Sequence, residues 1–190
     1  EDEELNRLRM ALGIIRREQP QAVVSVDTFR PDVARMAVEE FGADIINDVS
    51  GGTSEMFRMV TRLRVPYILM SLQPTMREML LSFAEKVQQL RDMGANDIIL
   101  DPGFGFGKTL EQNYEIMNEL EKLLVMELPL LVGISRKSMI YRLFDCTPQQ
   151  ALNGTTALDI IALMKGASIL RVHDVKEAME CVRIVQQLNC

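Results

Sequence analysis

Short runs of branched apolar residues alternate along the chain with longer segments in which apolar residues recur every three or four positions. A short apolar run bounded by polar residues predicts a buried strand, and the wider spacing predicts an amphipathic helix. Six such runs predict strands, at Ala22–Val26, Asp44–Val49, Val65–Met70, Asp97–Leu100, Leu128–Ile134 and Ser168–Val172.

The alternation of strand and helix predicts a parallel α/β fold. Strands that are apolar on both faces and joined by helical crossovers form either a doubly wound sheet or a barrel. Helix boundaries agree with this order, because Pro31 and Pro148 suit helix starts whereas Gly42 and Gly94 suit helix ends.

The strand spacing indicates how much of a barrel the chain holds. Strand centres lie about 29 residues apart, so eight strand–helix units need about 230 residues, near the ~250 usual for an eight-unit barrel. The 190 residues contain six predicted strands, and residues 1–19 predict a helix with no strand before it. We therefore expect a single domain over residues 1–190 that lacks the first two strand–helix units.

Composition and charge narrow the class of protein. The chain is 47% hydrophobic and 25% charged, as in soluble globular domains. Its 27 acidic and 21 basic residues give a net charge of -6, which disfavours a nucleic-acid partner. No apolar stretch reaches the roughly 18 residues of a membrane span, and the acidic residues 1–4 are unlike a signal peptide.

The cysteines add a prediction about location. Cys146, Cys181 and Cys190 are spaced for neither a zinc site nor a disulfide framework. We expect reduced thiols, and hence a cytoplasmic protein without a membrane partner.

Polar side chains collect where the predicted strands end. The carboxyl ends of parallel strands share one face, so we expect side chains distant in sequence to meet at one mouth. The alternative for each position is a local role, such as capping a helix or closing a turn. The polar residues at strand ends are Asp27 and Thr28, Asn47 and Asp48, Asp101, residues 135–137, Arg171 and His173.

One part of this set predicts binding of a flat heterocycle. Asp27 and Asp101 offer carboxylates that accept paired N–H bonds, and Asn47 both accepts and donates. Lys137 would keep the carboxylates ionised or donate to a ring carbonyl.

Another part predicts binding of an anion. Arg171 and His173 supply hydrogen-bond donors for such an anion, and arginine is the residue type suited to paired contacts with phosphate. As the single histidine, His173 excludes a centre with several histidine ligands; its alternative role is that of a hydrogen-bonded structural residue. Ser138 precedes a predicted helix near Met139, where it would bind a carboxylate or phosphate, or simply cap the helix.

The glycine-rich residues 103–109 form a loop between strand and helix. Their glycine spacing fits neither the phosphate-binding loop nor the dinucleotide fingerprint. We interpret them as a loop whose glycines allow unusual backbone angles and whose Phe106 ring covers the mouth. Alternatively, Phe106 packs into the base of the loop.

Five segments, in order and at comparable spacing, resemble the bacterial dihydropteroate synthases. The resemblance covers about residues 5–188. It implies a TIM (β/α)8 barrel with about six strand–helix units in this chain, a homodimer, Mg2+, and condensation of dihydropterin hydroxymethyl pyrophosphate with p-aminobenzoate, the step that sulfonamide inhibitors block. The matching segments are Ser25–Thr28, Ile45–Val49, Asp101–Lys108, Gly133–Ser138 and Arg171–Val175.

The resemblance also implies roles for single residues. The pterin-binding residues are Asp27, Asn47, Val49, Asp101, Gly133 and Lys137. Pyrophosphate is bound by Arg171 and His173, and p-aminobenzoate by Phe106 and Ser138; the residues of the reaction itself are Lys137, Arg171 and His173. In this family pyrophosphate leaves first, and the aromatic amine attacks the resulting cation.

Two features depart from the family. Its first strand carries an asparagine that contacts magnesium and pyrophosphate, and these 190 residues do not include that strand. After its third strand the family usually has Met-His-Met-Gln, whereas this chain has Met70-Ser71-Leu72-Gln73. Leu72 is therefore expected at the position of a pterin-packing methionine.

Two alternative functions fit parts of the pattern. A methyltetrahydrofolate–corrinoid methyltransferase on the same barrel would need the Asp and Asn residues without Arg171 or His173. A non-catalytic pterin-binding remnant would need no reaction residues at all.

Overall fold

The computed structural model describes residues 2–188, in which strands and helices alternate as the sequence pattern predicts. The strands are β1 (Ser25–Asp27), β2 (Ile45–Asp48), β3 (Tyr67–Met70), β4 (Ile98–Asp101), β5 (Leu131–Val132) and β6 (Ile169–Leu170). The helices are α1 (Asp2–Glu18), α2 (Pro31–Phe41), α3 (Ser54–Leu63), α4 (Met76–Asp92), α5 (Leu110–Asn118), α6 (Ser138–Tyr141), α7 (Leu152–Met164) and α8 (Val175–Leu188).

The predicted helix boundaries are confirmed. Pro31 is the first residue of α2, and Gly42 ends that helix in the left-handed conformation with a φ of 63°. Gly94, with a φ of 96°, follows the end of α4. Pro148 begins a 3₁₀ turn, Pro148–Gln150, directly before α7.

Two compact units divide the described residues, and the first combines the chain up to Met70 with Glu85–Ile99. Its strands β1, β2 and β3 pair in parallel, within a sheet of order β1-β2-β3-β4. The register places Asp27 opposite Asn47, so two predicted site residues end neighbouring strands. Fully buried side chains of this unit include Val33, Ala37, Ile46, Met56, Leu90 and Ile98.

The second unit combines Ser71–Ala84 with the described chain from Leu100 onward. Its strands β5 and β6 pair in parallel, and Leu100 near the end of β4 forms a parallel bridge with Leu130. The ends of β4, β5 and β6 carry the remaining predicted site residues. Fully buried side chains of this unit include Phe104, Leu120, Leu123, Val132, Ile134 and Ala162.

The structure tests part of what the cysteines and the apolar pattern predict. Cys146 and Cys181 carry free thiols, as predicted, whereas Cys190 and Glu1 lie outside the described residues. No helix within residues 2–188 combines the length and the apolar character that crossing a membrane requires.

Helix α7 buries an aspartate that the sequence pattern does not single out. Asp159 is 1% exposed, and its Oδ1 has no hydrogen-bond partner among the described residues. Burial, with a smaller contribution from the Asp174 charge, raises the pKa of Asp159 to about 6. The ionised form therefore destabilises the folded chain.

We expect Asp159→Asn to stabilise the protein at neutral pH by about 1–2 kcal/mol, because the variant buries no charge. The native state of the parent retains a proton between the ordinary aspartate pKa and about 6, so its free energy of unfolding falls as pH rises through that window. Thermal unfolding at about pH 5 and pH 8 checks this, since the parent should lose stability and the variant should not. Glu180→Gln, at an exposed position of α8, is the control. An identical pH dependence in parent and Asp159→Asn would contradict the prediction.

Candidate functional site

In the first unit, the ends of β1 and β2 hold a hydrogen-bonded pair. The Asn47 side-chain amide donates to Asp27 Oδ1 at 2.8 Å. Asn47 is 3% exposed, and its amide oxygen has no hydrogen-bond partner among the described residues. Because a buried acceptor without a partner is costly, this oxygen points to a bound N–H donor.

Other polar residues at these strand ends have local roles. Both oxygens of the buried Asp48 are occupied, because Oδ1 accepts from the Ser50 N–H at 2.8 Å and Oδ2 accepts from the Tyr67 hydroxyl at 2.7 Å. The Thr28 hydroxyl accepts from the Arg30 N–H at 3.1 Å. The turn-forming alternative is thus correct for Asp48 and Thr28.

In the second unit, Asp101 ends β4 with its side chain 7% exposed. Its Oδ1 accepts a hydrogen bond of 2.7 Å from the Gly103 N–H. Burial is the largest influence and raises the pKa of Asp101, although this N–H and three cations oppose the rise. The cations are Lys137, Lys108 and Arg171. Lys137 was expected to keep this carboxyl ionised. Its charge does lower the pKa of Asp101, but the effect of burial is larger, so the pKa is raised overall.

The Lys137 ammonium lies against the glycine-rich loop. It donates to the Phe104 carbonyl and lies 4.7 Å from the centroid of the Phe106 ring. Burial lowers the pKa of Lys137, whereas the Asp101 charge raises it. A Cβ on Gly105, whose φ is 80°, would lie 3.0 Å from Lys137 Cδ, so the glycine makes room for this side chain.

The two aromatic rings of the loop differ in burial. Phe104 is completely buried and Phe106 is 38% exposed. The structure therefore gives the role of filling the base of the loop to Phe104. Phe106 presents its ring to the Lys137 ammonium and to solvent, as expected for a ring that can meet a ligand.

Lys108 is a further half-buried cation, to which the sequence pattern gives no role. Its ammonium donates to the carbonyls of Ser71 at 3.1 Å and Gly103 at 2.9 Å. Burial lowers the pKa of Lys108 to about 8, with the Asp101 charge opposing. Lys108 thus ties the glycine-rich loop to Ser71, the residue after β3. Its position directly after Gly107 is the sequence signal that could have indicated this role.

The loops after β5 and β6 meet through a serine and the single histidine. His173 Nδ1 lies 3.0 Å from Ser135 Oγ, which also accepts from the His173 backbone N–H at 3.3 Å. Arg171 lies on the same strand end as His173, and both side chains are exposed. A Cβ on Gly133 would lie 3.5 Å from Arg171 Cβ, an ordinary van der Waals distance, so Gly133 lies directly beside this arginine without being required by its space.

Three further residues predicted for the site, Ser138, Val49 and Leu72, are half-buried or exposed. Ser138 is half-buried and is the first residue of α6, whose cap position belongs to Lys137; the alternative of a Ser138 cap is wrong. Val49 is half-buried directly after β2. Leu72 is 48% exposed next to the buried Ser71.

The described residues were searched for clusters of side chains that could bind the predicted Mg2+. No group of three or more His, Cys, Asp or Glu side chains within residues 2–188 is arranged to hold a metal ion.

Comparisons with known proteins agree on one family. Residues 1–173 match the family described as pterin binding enzyme. The dihydropteroate synthase of Escherichia coli is 36% identical, over 97% of this chain and 71% of its own length. Two solved dihydropteroate synthases are also similar. That of Coxiella burnetii with pteroic acid has 35% identity and a TM-score of 0.90 over 96% of this chain and 72% of its own. That of Yersinia pestis with a sulfonamide drug has 35% identity and a TM-score of 0.92, over 100% of this chain and 74% of its own.

Proposed function

Since the chain belongs to the pterin-binding enzyme family, and within it to the dihydropteroate synthases, we propose roles for its residues in that reaction. The family has the (β/α)8 barrel fold, of which residues 2–188 contain six strand–helix units. The reaction is a transferase step of folate biosynthesis, in which dihydropterin hydroxymethyl pyrophosphate and p-aminobenzoate give dihydropteroate and pyrophosphate.

The proposal for the pterin rests first on the buried Asn47 oxygen that lacks a partner. A pterin has several N–H donors along one edge, and this oxygen and the Asp27 carboxylate are acceptors of the matching kind. Asp101 is a third acceptor, with Lys137 as a donor suited to the ring carbonyl. Val49 and Gly133 complete the set of pterin residues that we propose.

Arg171 and His173 act on the leaving group. The C–O bond of the exocyclic methylene breaks, and pyrophosphate departs with the electron pair. The guanidinium of Arg171 and the imidazole of His173 stabilise the growing negative charge, while the carboxylates favour the cationic ring. The amine nitrogen of p-aminobenzoate then forms the new C–N bond and releases a proton.

For p-aminobenzoate we propose Phe106 and Ser138. The exposed Phe106 ring offers a face for the benzoate ring, and the half-buried Ser138 offers a hydroxyl for its carboxylate. Pteroic acid contains this benzoate, and a sulfonamide drug resembles p-aminobenzoate, so the ligands of the Coxiella and Yersinia relatives support this class of small molecule.

Several parts of the sequence-based expectation stay predictions: the single domain over residues 1–190, the homodimer, Mg2+ and the cytoplasmic location. Methyl transfer to a corrinoid protein is the weaker alternative, because the relatives that match this chain are dihydropteroate synthases.

A condensation assay tests the proposed function. The chain is incubated with dihydropterin pyrophosphate and p-aminobenzoate, and dihydropteroate and pyrophosphate are measured in parallel. We expect equal amounts of both, and less of both when a sulfonamide is added. Pyrophosphate release without dihydropteroate, or no release at all, would refute the proposal.

A further inference from the structure

Arg136 lies within the loop after β5, in an unusual backbone conformation. Its φ is 54°, in the left-handed region that costs a non-glycine residue about 1 kcal/mol or more. It stands between Ser135, which contacts His173, and Lys137. Such a conformation persists only when surrounding contacts hold it.

The side chain of Arg136 supplies those contacts within the second unit. Its Nε and Nη2 donate to the two oxygens of Asp174 at 2.8 and 2.7 Å. Its Nη1 donates to the carbonyls of Pro148 at 3.2 Å and Gln149 at 2.8 Å. Four of the five guanidinium N–H donors therefore have protein acceptors. The guanidinium of Arg136 therefore binds other parts of this chain, and only one of its N–H groups remains for any other acceptor.

The backbone of Arg136 is held as well. Its N–H donates to the Thr155 hydroxyl at 3.0 Å. Thr155 is buried and donates in turn to the Ala151 carbonyl at 2.9 Å. Helix α7 therefore fixes the backbone of the loop after β5, while Asp174 fixes its side chain.

Asp174 connects this arrangement to the other loop, because it directly follows His173. The loops after β5 and β6 are thus joined at two consecutive positions, Ser135 to His173 and Arg136 to Asp174. The Arg136 hydrogen bonds keep the pKa of Asp174 below its ordinary value, so this ion pair persists to acidic pH.

We propose that Arg136 and Asp174 form a positioning pair, which fixes the orientation of Arg171 and His173 toward the departing diphosphate without touching it. This inference rests on the proposed function, because it assigns the pair to the diphosphate end of that site. The loop after β6 carries Arg171 and His173, the two side chains proposed to bind the diphosphate, and Asp174 ties this loop to Arg136. Loss of the paired hydrogen bonds between Arg136 and Asp174 would let the loop after β6 move, and Arg171 and His173 would then no longer be held side by side.

Binding of inorganic pyrophosphate to the 190-residue chain tests the pair, with Arg136→Ala, Asp174→Ala and the double variant. We expect each single variant to lose about tenfold in affinity per folded molecule, and the double variant to lose no more than either, because coupled residues are not additive. Arg136→Lys should recover only part of the affinity, since it has no fork. A purely structural role would lower the melting temperature and leave this affinity unchanged.

Arg142→Ala, an exposed arginine of the same segment, is the matched control and should bind pyrophosphate like the parent. Single-variant losses that add in the double variant, or unchanged affinity in Arg136→Ala, would overturn the positioning pair. Failure of the parent chain itself to bind pyrophosphate would instead refute the diphosphate end of the proposed function.

Discussion

Asp101→Asn is expected to weaken binding of 6-hydroxymethylpterin by about 10- to 100-fold, or about 1–3 kcal/mol. One carboxylate oxygen already accepts from the Gly103 N–H, so the other is the acceptor that remains for the ligand. An asparagine that keeps its oxygen on Gly103 would turn an NH₂ donor toward the N–H donors of the pterin. Calorimetric titration of parent and variant measures the difference.

Asp97→Asn is the matched control, because Asp97 is an exposed residue just before the same strand and should bind the pterin like the parent. Since burial raises the pKa of Asp101, the affinity of the parent should also fall with decreasing pH earlier than for an ordinary aspartate. Unchanged calorimetric affinity in a folded Asp101→Asn variant would remove Asp101 from the proposed pterin residues.

The order of elements was predictable because each strand is a short branched apolar run. All six strands lie within one residue of their predicted runs. Strand ends were less predictable, since every observed strand except β4 is shorter than its predicted run, and β5 and β6 have two residues each. Apolar composition indicates burial, whereas strand length depends on the pairing of neighbouring backbones.

The candidate site was predictable in residue type and position along the chain, but not in the environment of each side chain. Asn47 and Asp48 are adjacent and both buried, yet only Asn47 has an oxygen without a partner. Alternation along a strand separates two neighbours, but it does not show that Asp48 meets the Tyr67 hydroxyl. The hydrogen bonds of Lys108 to the Ser71 and Gly103 carbonyls were missed for the same reason, because they depend on the fold of the loop around it.

Proton placement around Asp101 also depends on structure. Burial shifts the pKa of the Asp101 carboxyl upward and the pKa of the Lys137 ammonium downward, although each charge favours the other. The two groups are therefore closer in proton affinity than their ordinary values suggest. A ligand that brings N–H donors to the carboxylate would favour its ionised form.

Arg171→Ala is expected to lower kcat for condensation by about 100-fold, the usual effect of removing one donor to a developing negative charge. The guanidinium influences both Asp101 and Lys137, and its place on the end of β6 suits it to the leaving diphosphate. That charge grows only as the C–O bond breaks, so binding of a pterin without diphosphate should change by about threefold or less. Steady-state kinetics and titration with 6-hydroxymethylpterin give the two values.

Two further variants test whether Arg171 affects turnover more than it affects binding of the pterin. Arg171→Lys keeps the charge without the planar fork and should restore part of kcat, whereas Arg183→Ala, an exposed arginine on α8, should behave like the parent. If Arg171→Ala reduced turnover and the affinity for the bare pterin by the same factor, the guanidinium would be acting on the ring or on the fold. The separation of a pterin end from a diphosphate end would then be wrong, because it requires Arg171 to act on the leaving group alone.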